Sequence, residues 1–377
     1  MQHTGNVISV FTRHPWLVLS LAHSLSPAQW LDILNTLEIS AEALVQQSLE
    51  NALPAIPQAD VICRAIKRVS TVELEQSLAW QAADEHHHII TIECKSYPTL
   101  LRQLTSPPLV LFVAGAPACL YEQGVAIVGS RRASHYGVDN AQFFARELSA
   151  RGMAIVSGMA TGIDGAAHVG TLKNGGATVA VLGSGIDVVY PKRHARLYDE
   201  IKASNGAVIS EFAPGTPVRR EQFPRRNRII AAITSGTLVV EAAIKSGTLI
   251  TANMAINMGR DVFAVPGNIH SPLTQGCHLL IQQGAKLVVC AQDILDELSM
   301  FSYTSDQAGL DFSKKSHGIC LATDKLLDSV DYDITSVNII AERNNLPVQA
   351  VMASLLEYEL RGLVASVPGG YIKLRGK

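Results

Sequence analysis

The sequence predicts an α/β fold in which a doubly wound parallel sheet lies between an N-terminal helical region and a C-terminal module of three helices and a hairpin. The apolar runs 125–128 and 153–156 each end in a small, glycine-bearing turn. A helical segment with an apolar face that includes Phe143 and Leu148 joins them. Strand, helix and strand in this order form the βαβ unit of a parallel sheet. Strands and helices continue to alternate up to about residue 300, which predicts a single sheet.

Residues 1–95 are predicted to form a small helical domain. Ser26-Pro27 is a typical helix start, and Ser40 is placed to cap the next helix. Apolar residues recur at helical spacing behind the first of these signals, at Trp30, Ile33, Leu34 and Leu37. The alternation of helix starts and apolar faces therefore predicts a packed helical domain rather than an extended tail.

Residues 96–300 are predicted to form the α/β domain. After the first βαβ unit, short apolar strands alternate with helical segments, at 178–182, 207–209, 238–240, 262–265 and 287–289. A helix is expected to start near Asp164, which is placed to act as an N-cap or a first-turn acid. Ligands of such sheets bind at the carboxyl ends of the strands, so the turns after the strands are the place to look for a site.

The C-terminal part is predicted to be a linker, 301–316, followed by a winged-helix domain, 317–377. Three helical segments precede a hairpin that turns at Pro368-Gly369-Gly370. The candidate recognition helix, 348–360, carries Glu357 and Glu359 and no basic residue. Duplex DNA binding and a protein or dimer contact both remain open for this domain.

Composition limits the class of protein. No apolar run approaches the roughly 20 residues that span a bilayer, so no membrane contact is expected. No CxxC pair occurs among the six scattered cysteines, which is typical of reduced thiols in a cytoplasmic protein: Cys63, Cys94, Cys119, Cys277, Cys290 and Cys320. The triplet 86–88 of histidines has no partner at ligand spacing, so no metal is predicted.

The net charge of −2 hides an uneven distribution. Lys and Arg number 5 against 10 Asp and Glu in residues 1–95, 20 against 16 in 96–316, and 6 against 7 in 317–377. Only the middle of the chain is positive, and a polyanionic partner is expected to bind there.

The turns after the first two strands predict a phosphate-binding surface. Glycines let backbone N–H groups approach an anion, and the N-terminus of the following helix is expected to add positive potential. The predicted contacts are Gly129, Ser130, Arg131, Arg132, Ser157 and Gly158. The dinucleotide fingerprint lacks its second and third glycines after Gly129, and the Walker pattern is absent. No nucleotide cofactor is therefore expected.

The segment 222–228, QFPRRNR, is the second candidate site. It places Phe223 next to several arginines, and single-stranded nucleic acid is bound by aromatic rings that stack on bases and guanidiniums that hold phosphates. In the alternative interpretation, Phe223 belongs to the core and the arginines pair with Glu211, Glu221 or Glu241. The position of this segment beside the glycine turns favours the binding surface.

Seven motifs in the central part extend this reading, and they occur in fixed order as VGSRRAS, SGMATGIDGAAH, VLGSGIDVVYP, SEFAPGT, FPRRNRII, VVEAAIKSGTLITANMA and GRDVFAVPG. The chain resembles the DNA processing protein A family, DprA, also called Smf, over about residues 96–297. The resemblance implies a Rossmann-like central domain flanked by a SAM-like helical domain and a winged helix. It further implies a cytoplasmic protein that binds single-stranded DNA, forms a homodimer through the Rossmann-like domain and loads the RecA recombinase during natural transformation.

The resemblance also extends the set of site residues. It implies phosphate contacts for Gly129, Ser130 and Arg131, a backbone contact for Arg220, and base contacts for Phe223 and Asn227. The segment 245–247 is expected to close the same pocket. Together with the turns, the predicted single-stranded DNA site comprises Gly129, Ser130, Arg131, Arg132, Ser157, Gly158, Arg220, Phe223, Arg226, Asn227, Arg228, Lys245, Ser246 and Gly247. Many family members have a basic residue where this chain has Thr161, so one phosphate contact is expected to be missing.

An enzyme is the alternative class. Glu241 at a strand end resembles the acid of phosphoribohydrolases that cleave nucleotides, and Asp164 and His168 are four residues apart on one helix face. The hydrolase motif has a glycine pair and a threonine shortly before its glutamate, whereas this chain has only Gly236-Thr237. The sequence therefore favours a binding protein without cofactor, metal or catalytic residues.

Overall fold

The computed structural model describes residues 9–300, apart from 55 and 57, together with 325–331 and 334–374. The chain divides into two compact units, Met1–Thr304 and Ser305–Lys377. The linker predicted for 301–316 lies outside the described residues. None of the described helices combines the length and apolar character needed to cross a bilayer.

The first unit begins with a helical region that includes α1 (Pro15–Leu21), α2 (Pro27–Leu37), α3 (Ala41–Glu50), α4 (Ala59–Lys67) and α5 (Thr71–Ala82). Serine side chains begin three of them, because a hydroxyl oxygen satisfies a backbone N–H that the first turn leaves unpaired. Ser26 and Gln29 form a capping box on α2, and Ser40 and Ser70 cap α3 and α5. The predicted N-terminal helices are confirmed.

A nine-stranded, largely parallel sheet forms the centre of this unit. Its strands are β1 (His87–Thr91), β2 (Val110–Gly115), β3 (Gly124–Val128), β4 (Ala154–Ser157), β5 (Thr178–Val181), β6 (Ala207–Ser210), β7 (Gly236–Val239), β8 (Asp261–Ala264) and β9 (Lys286–Leu287). The order is β1-β2-β6-β5-β4-β3-β7-β8-β9, with β1 and β2 antiparallel to their neighbours and the rest parallel. The strand order reverses between the parallel neighbours β3 and β7, and sheets of this class have a crevice at that position.

Helices cover both faces of this sheet. They are α6 (Thr99–Arg102), α7 (His135–Ser149), α8 (Ile163–Lys173), α9 (Ala195–Lys202), α10 (Gln222–Ala232), α11 (Gly247–Asn257), α12 (Gln275–Gln282) and α13 (Ala291–Met300). One hydrophobic cluster packs under α7 and α8 and includes Phe144 and Ile155. Strands buried on both faces account for the nearly continuous apolar runs in the sequence.

The N-terminal helices and the sheet share a second hydrophobic cluster. Trp16 of α1, Leu44 of α3 and Phe112 of β2 all belong to it. Strand β1 precedes residue 96 and pairs with β2 along its full length. The domain boundary at 95/96 remains a prediction, and the helices before it pack directly against the sheet.

The second unit has helices α14 (Lys325–Asp328), α15 (Val337–Asn344) and α16 (Val348–Leu360), followed by the hairpin β10 (Val364–Val367) and β11 (Gly370–Lys373). A separate core fills it, with Ile340, Val351, Leu355 and Val364 among its members. Three helices and a two-stranded wing form the predicted winged helix.

Candidate nucleic-acid interface

Arg131, Phe223 and Tyr190 form a surface cluster at the carboxyl ends of the strands. Arg131 follows β3, Phe223 lies in the first turn of α10, and Tyr190 follows β5. The Cζ atom of Arg131 lies 5.3 Å from the centroid of the Phe223 ring, within the range of a cation–π contact. The centroids of the Phe223 and Tyr190 rings are 5.8 Å apart. The structure therefore brings together the two candidate segments that the sequence singled out separately.

Gly183, at the end of β5, supports the ring of Phe223 from below. A Cβ atom at this position would lie 3.1 Å from Cδ1 of Phe223. The ring therefore packs on the strand-end turn while Phe223 stays half-exposed. An aromatic residue held in this way offers a face for stacking at a low conformational cost.

The turns after β3 and β4 are tied to each other through backbone atoms. The N–H of Ile163 donates to the carbonyl of Ser130 at 3.2 Å, and the hydroxyl of Thr161 donates to the carbonyl of Arg131 at 3.0 Å. Gly162 adopts a φ of 78°, and a Cβ atom there would lie 2.2 Å from the Ser130 carbonyl oxygen. Thr161 therefore fixes the backbone from which the Arg131 side chain extends.

Protein carboxylates occupy the helix N-termini behind these two turns. Glu241 accepts hydrogen bonds from the N–H of Ser134 at 3.0 Å and from its hydroxyl at 2.5 Å, at the start of α7. Asp164 accepts from the N–H groups of Gly158 at 3.2 Å and Ala160 at 3.4 Å, at the start of α8. The expectation that the N-terminus of α7 adds positive potential to the surface is therefore wrong, because Glu241 already neutralises it.

The glycines of these turns make room for side chains. A Cβ atom on Gly129 would lie 2.5 Å from Cγ1 of Ile163, and one on Gly158 would lie 2.5 Å from Nη1 of Arg226. Ser157 has no exposed surface, and its hydroxyl donates to the carbonyl of Ile127 at 2.6 Å. Ser157 and Gly158 lie inside the protein rather than on the predicted surface.

Arg226 is buried beneath the cluster. Its Nη1 donates to the carbonyls of Gly158 and Val181, and its Nε donates to Oδ1 of Asn227 at 3.0 Å. Burial lowers the pKa of Arg226 to about 10, with the nearby Asp164 carboxylate acting in the opposite direction. At neutral pH the guanidinium is thus charged, and it ties the ends of β4 and β5 together.

Two further arginines of α10 pair with one acid. The Arg228 guanidinium donates to Glu211 Oε2 at 2.5 Å and to the carbonyl of Ser106 at 2.6 Å. Arg225 also lies 3.1 Å from Glu211 Oε2. Arg225 and Arg228 thus pair with Glu211, as the alternative interpretation predicted. Phe223 does not belong to the core as that interpretation also predicted, because it is only partly buried.

The remaining predicted cations are exposed on the same side as the cluster or next to it in sequence. Arg131, Arg132, Arg220 and Lys245 are exposed, and none of them forms an ion pair with any residue that the structure describes. Unpaired guanidinium and ammonium groups are the groups that release counterions from a polyanion.

The start of α11 lies beside the turn after β3. Ser246 caps the helix by accepting from the N–H of Thr248 at 3.2 Å, and the Thr248 hydroxyl donates to the carbonyl of Gly129 at 3.0 Å. The first turn of α11 has no acidic residue, and the space around Gly247 is open. The segment 245–247 therefore directly precedes a residue that contacts Gly129 in the turn after β3.

The predicted site does not include Tyr190, which contacts Phe223 in the structure. Tyr190 extends the aromatic surface, and Lys192 and Arg193 are exposed just behind it in the sequence. The sequence contains a signal for this extension, because an aromatic residue and two cations, Tyr190, Lys192 and Arg193, follow the turn after β5.

Two family models match the chain. The model described as DNA recombination-mediator protein A matches residues 88–299, and the model described as DprA winged helix domain matches residues 322–370. Protein Smf of Escherichia coli is 42% identical over 304 residues, which are 80% of this chain and 81% of that protein. DNA processing protein DprA of Streptococcus pneumoniae is 47% identical over 201 residues, 53% of this chain and 71% of that protein.

Solved structures give the same result. DprA from Streptococcus pneumoniae superimposes with a TM-score of 0.65 at 37% identity, covering 75% of this chain and 97% of that one. DNA processing protein A from Helicobacter pylori, whose structure concerns its single-stranded DNA binding mode, has a TM-score of 0.51 at 27% identity, covering 57% of this chain and 98% of that one. The predicted α/β fold, with its helical N-terminal region and winged helix, is confirmed.

Proposed function

The chain belongs to the DNA recombination-mediator protein A (DprA/Smf) family, and we propose that it mediates recombination by binding single-stranded DNA across the carboxyl ends of its central sheet. The observation that carries the proposal is the contact of Arg131 with the ring of Phe223. A guanidinium beside an aromatic face provides both interactions that an unpaired strand needs, phosphate neutralisation and base stacking.

The exposed cations are the proposed phosphate contacts. Arg131, Arg132, Arg220 and Lys245 lie at the surface, and the open start of α11 at Ser246-Gly247 adds backbone N–H groups. Because these groups bind the sugar–phosphate backbone, the proposed binding has little sequence preference.

The aromatic residues are the proposed base contacts. Phe223 and Tyr190 present neighbouring rings, and stacking on such rings contributes about 1–3 kcal/mol per base. Asn227 stays in the proposed base-contacting set, with its Oδ1 held by Arg226.

The buried members of the predicted site are proposed to position the surface. Arg226 and Arg228 use their guanidiniums on protein acceptors, and Ser157 and Gly158 lie under the turn. Gly129 leaves room for Ile163, which keeps Ser130 and Arg131 in place. These residues support the DNA contacts without touching the strand.

Family membership supports a proposal for the partner and the process. The protein is proposed to protect incoming DNA in the cytoplasm and to load the RecA recombinase onto it during natural transformation. A homodimer through the Rossmann-like domain is part of the same proposal. No cofactor is part of this proposal.

No observation favours the hydrolase alternative. The Glu241 carboxylate is engaged at the start of α7. His168 is buried against Thr178, with 2.7 Å between Nδ1 and Oγ1. These side chains hold helices and strands together, which is the role of structural rather than catalytic residues.

A titration of the full chain with oligo-dT and with a duplex of the same length, over a range of salt concentrations, tests the proposal. We expect tighter binding of oligo-dT and a linear fall of log K with log salt. Equal affinity for both DNAs, or no binding of oligo-dT at low salt, would contradict it.

A further inference from the structure

The helix α16 of the winged-helix unit presents an apolar stripe to solvent. Its members recur at every fourth position and are 40%, 51%, 57% and 82% exposed: Val348, Met352, Leu356 and Leu360. The core of the unit is on another side of the helix, where Val351, Leu355 and Tyr358 are buried. The four exposed residues are therefore not part of the core of the unit. Contiguous exposed apolar surface marks interaction sites. We call these four residues the α16 stripe.

The chemistry of the α16 stripe does not suit DNA. A recognition helix in the major groove reads base edges with polar and basic side chains. The stripe offers only alkyl and thioether groups, and α16 itself has no basic residue. Glu357 and Glu359 flank the stripe and would lie close to phosphates, which costs energy. An apolar surface of a second protein helix is the matching partner.

The size of the α16 stripe indicates a weak contact. Twelve residues separate Val348 from Leu360, which corresponds to about 18 Å along the helix axis. Four side chains cannot supply the roughly 800 Å² per partner of a standard stable interface. The contact is therefore expected at high chain concentration or where chains are already held together.

The charges of α16 fit a second copy in the antiparallel orientation. The helix begins after Pro347 without a side-chain cap and without an acidic residue in its first turn. Its last turn contains Glu357 and Glu359 and no basic residue. Arg361 at the C-cap pairs with Glu357 at 3.5 Å, and Glu359 accepts from the N–H of Ser366 at 3.3 Å, so the carboxylate of Glu359 has no cation beside it among the described residues. Acids are favourable at a helix N-terminus and unfavourable near a C-terminus. An antiparallel copy brings each acidic end next to the uncapped start of the other helix.

The register of the stripe matches itself in that orientation. Aligning two antiparallel copies about the middle of α16 places Val348 opposite Leu360 and Met352 opposite Leu356. Both pairs join two apolar side chains, so the interface is self-complementary in the manner of a twofold symmetric contact. We propose that the α16 stripe is a contact between two copies of this chain, with their α16 helices packed antiparallel.

Photo-crosslinking of the full chain tests this contact. Benzoylphenylalanine replaces Met352, and the labelled chain is mixed with an equal amount of ¹⁵N-labelled protein before irradiation. The expected product joins residue 352 of one chain to the peptide around Leu356 of the other. A link between the two 352 positions, as in parallel packing, or no link between chains within 348–360 would overturn the proposal.

Two variants make the test specific. Leu356→Glu places a charge in the stripe and is expected to reduce the crosslinked product at least about tenfold, because burial of a leucine side chain is lost. Ala350→Glu adds the same charge at an exposed position on another side of α16 and is expected to leave the product unchanged. Circular dichroism confirms that each variant is folded, and Leu356→Ser replaces Leu356→Glu if the latter unfolds. Equal crosslinking in wild type and the stripe variant would overturn the proposal.

Discussion

Arg131 and Phe223 come from distant parts of the sequence and meet at one surface. Arg131 follows the first parallel strand, and Phe223 lies at the start of α10. Their contact rests on the fixed turn below Arg131 and on the close packing of Phe223 against Gly183. The two proposed interactions with DNA, phosphate neutralisation and base stacking, thus fall on neighbouring side chains, and single substitutions can separate them.

Arg131→Ala is expected to weaken binding of oligo-dT by about 1–3 kcal/mol and to reduce the salt slope by about one unit, because one phosphate contact is lost. Fluorescence anisotropy at several salt concentrations measures both. Arg151→Ala is the matched control, since Arg151 lies after the far end of α7, where it pairs with Glu147. A folded Arg131→Ala variant with unchanged affinity and slope would remove Arg131 from the interface.

Phe223→Ala is expected to weaken binding of oligo-dT by about 1–3 kcal/mol with little change in the salt slope, because stacking releases no counterions. The same anisotropy series provides the measurement. If the slope falls as much as for Arg131→Ala, Phe223 acts by positioning Arg131 and does not stack on a base.

The buried His168 predicts a pH-dependent stability. Burial, with the charges of His194 and Arg226 nearby, lowers the pKa of His168 from 6.5 to about 3. Between these values the unfolded chain binds a proton that the folded chain does not. The stabilisation is thus complete above pH 6.5 and falls with decreasing pH, by about 2 kcal/mol at pH 5. Urea unfolding between pH 7.5 and 5 measures this, and His168→Gln should give a shallower dependence. Parallel curves for both proteins would rule out His168 as the source.

At the scale of elements, the helix α10 shows which features could be predicted from the sequence and which could not. The apolar strands and serine-capped helices were predictable because each follows from local periodicity or a local hydrogen bond. The helix α10 starts at Gln222 and includes Pro224, because proline is tolerated in the first helical turn. Helical periodicity places Arg226 on the buried face of α10, together with Ile229 and Ile230. The sequence predicted the arginines as one group, but their division between surface and interior depends on that helix.

The carboxylate of Glu241 holds the start of α7 through its hydrogen bonds with Ser134. We expect Glu241→Gln to reduce the free energy of unfolding by about 1–3 kcal/mol, because a buried carboxylate that accepts two hydrogen bonds is replaced by an amide. Binding of oligo-dT per folded molecule should be unchanged, since Glu241 is buried and is not one of the proposed contacts. Urea denaturation gives the stability, with Glu221→Gln, an exposed acid, as the control. Full stability of Glu241→Gln would contradict the role of this carboxylate at the helix start.

At the scale of the whole molecule, the acidic N-terminal helices are part of the same core as the positive central sheet. The strand β1 covers β2, and the cluster that contains Trp16 and Phe112 joins the helices to the sheet. This continuity was not visible in the sequence, where the acidic charge of residues 1–95 suggested a boundary. The pattern of apolar residues gives the face that each helix buries, but not the element that it packs against.

Removal of residues 1–95 is therefore expected to destabilise the central domain. The fragment 96–300 exposes one edge of β2 and the apolar side chains that α1 and α3 cover, so we expect a lower melting temperature or aggregation compared with the fragment 1–300. Thermal unfolding of both fragments measures the difference. Equal melting temperatures would show that the helices and the sheet are independent.

The carboxylate of Glu241 has a further consequence for competition. In an open α/β sheet, a nucleotide phosphate sits at the helix start beside the point where the strand order reverses, and here that point lies between β3 and β7. Glu241 follows β7, and its carboxylate already accepts the hydrogen bonds of Ser134 at this helix start. We therefore expect that free mononucleotides do not bind at this helix start, and that they do not compete with a strand bound along the outer rim as proposed.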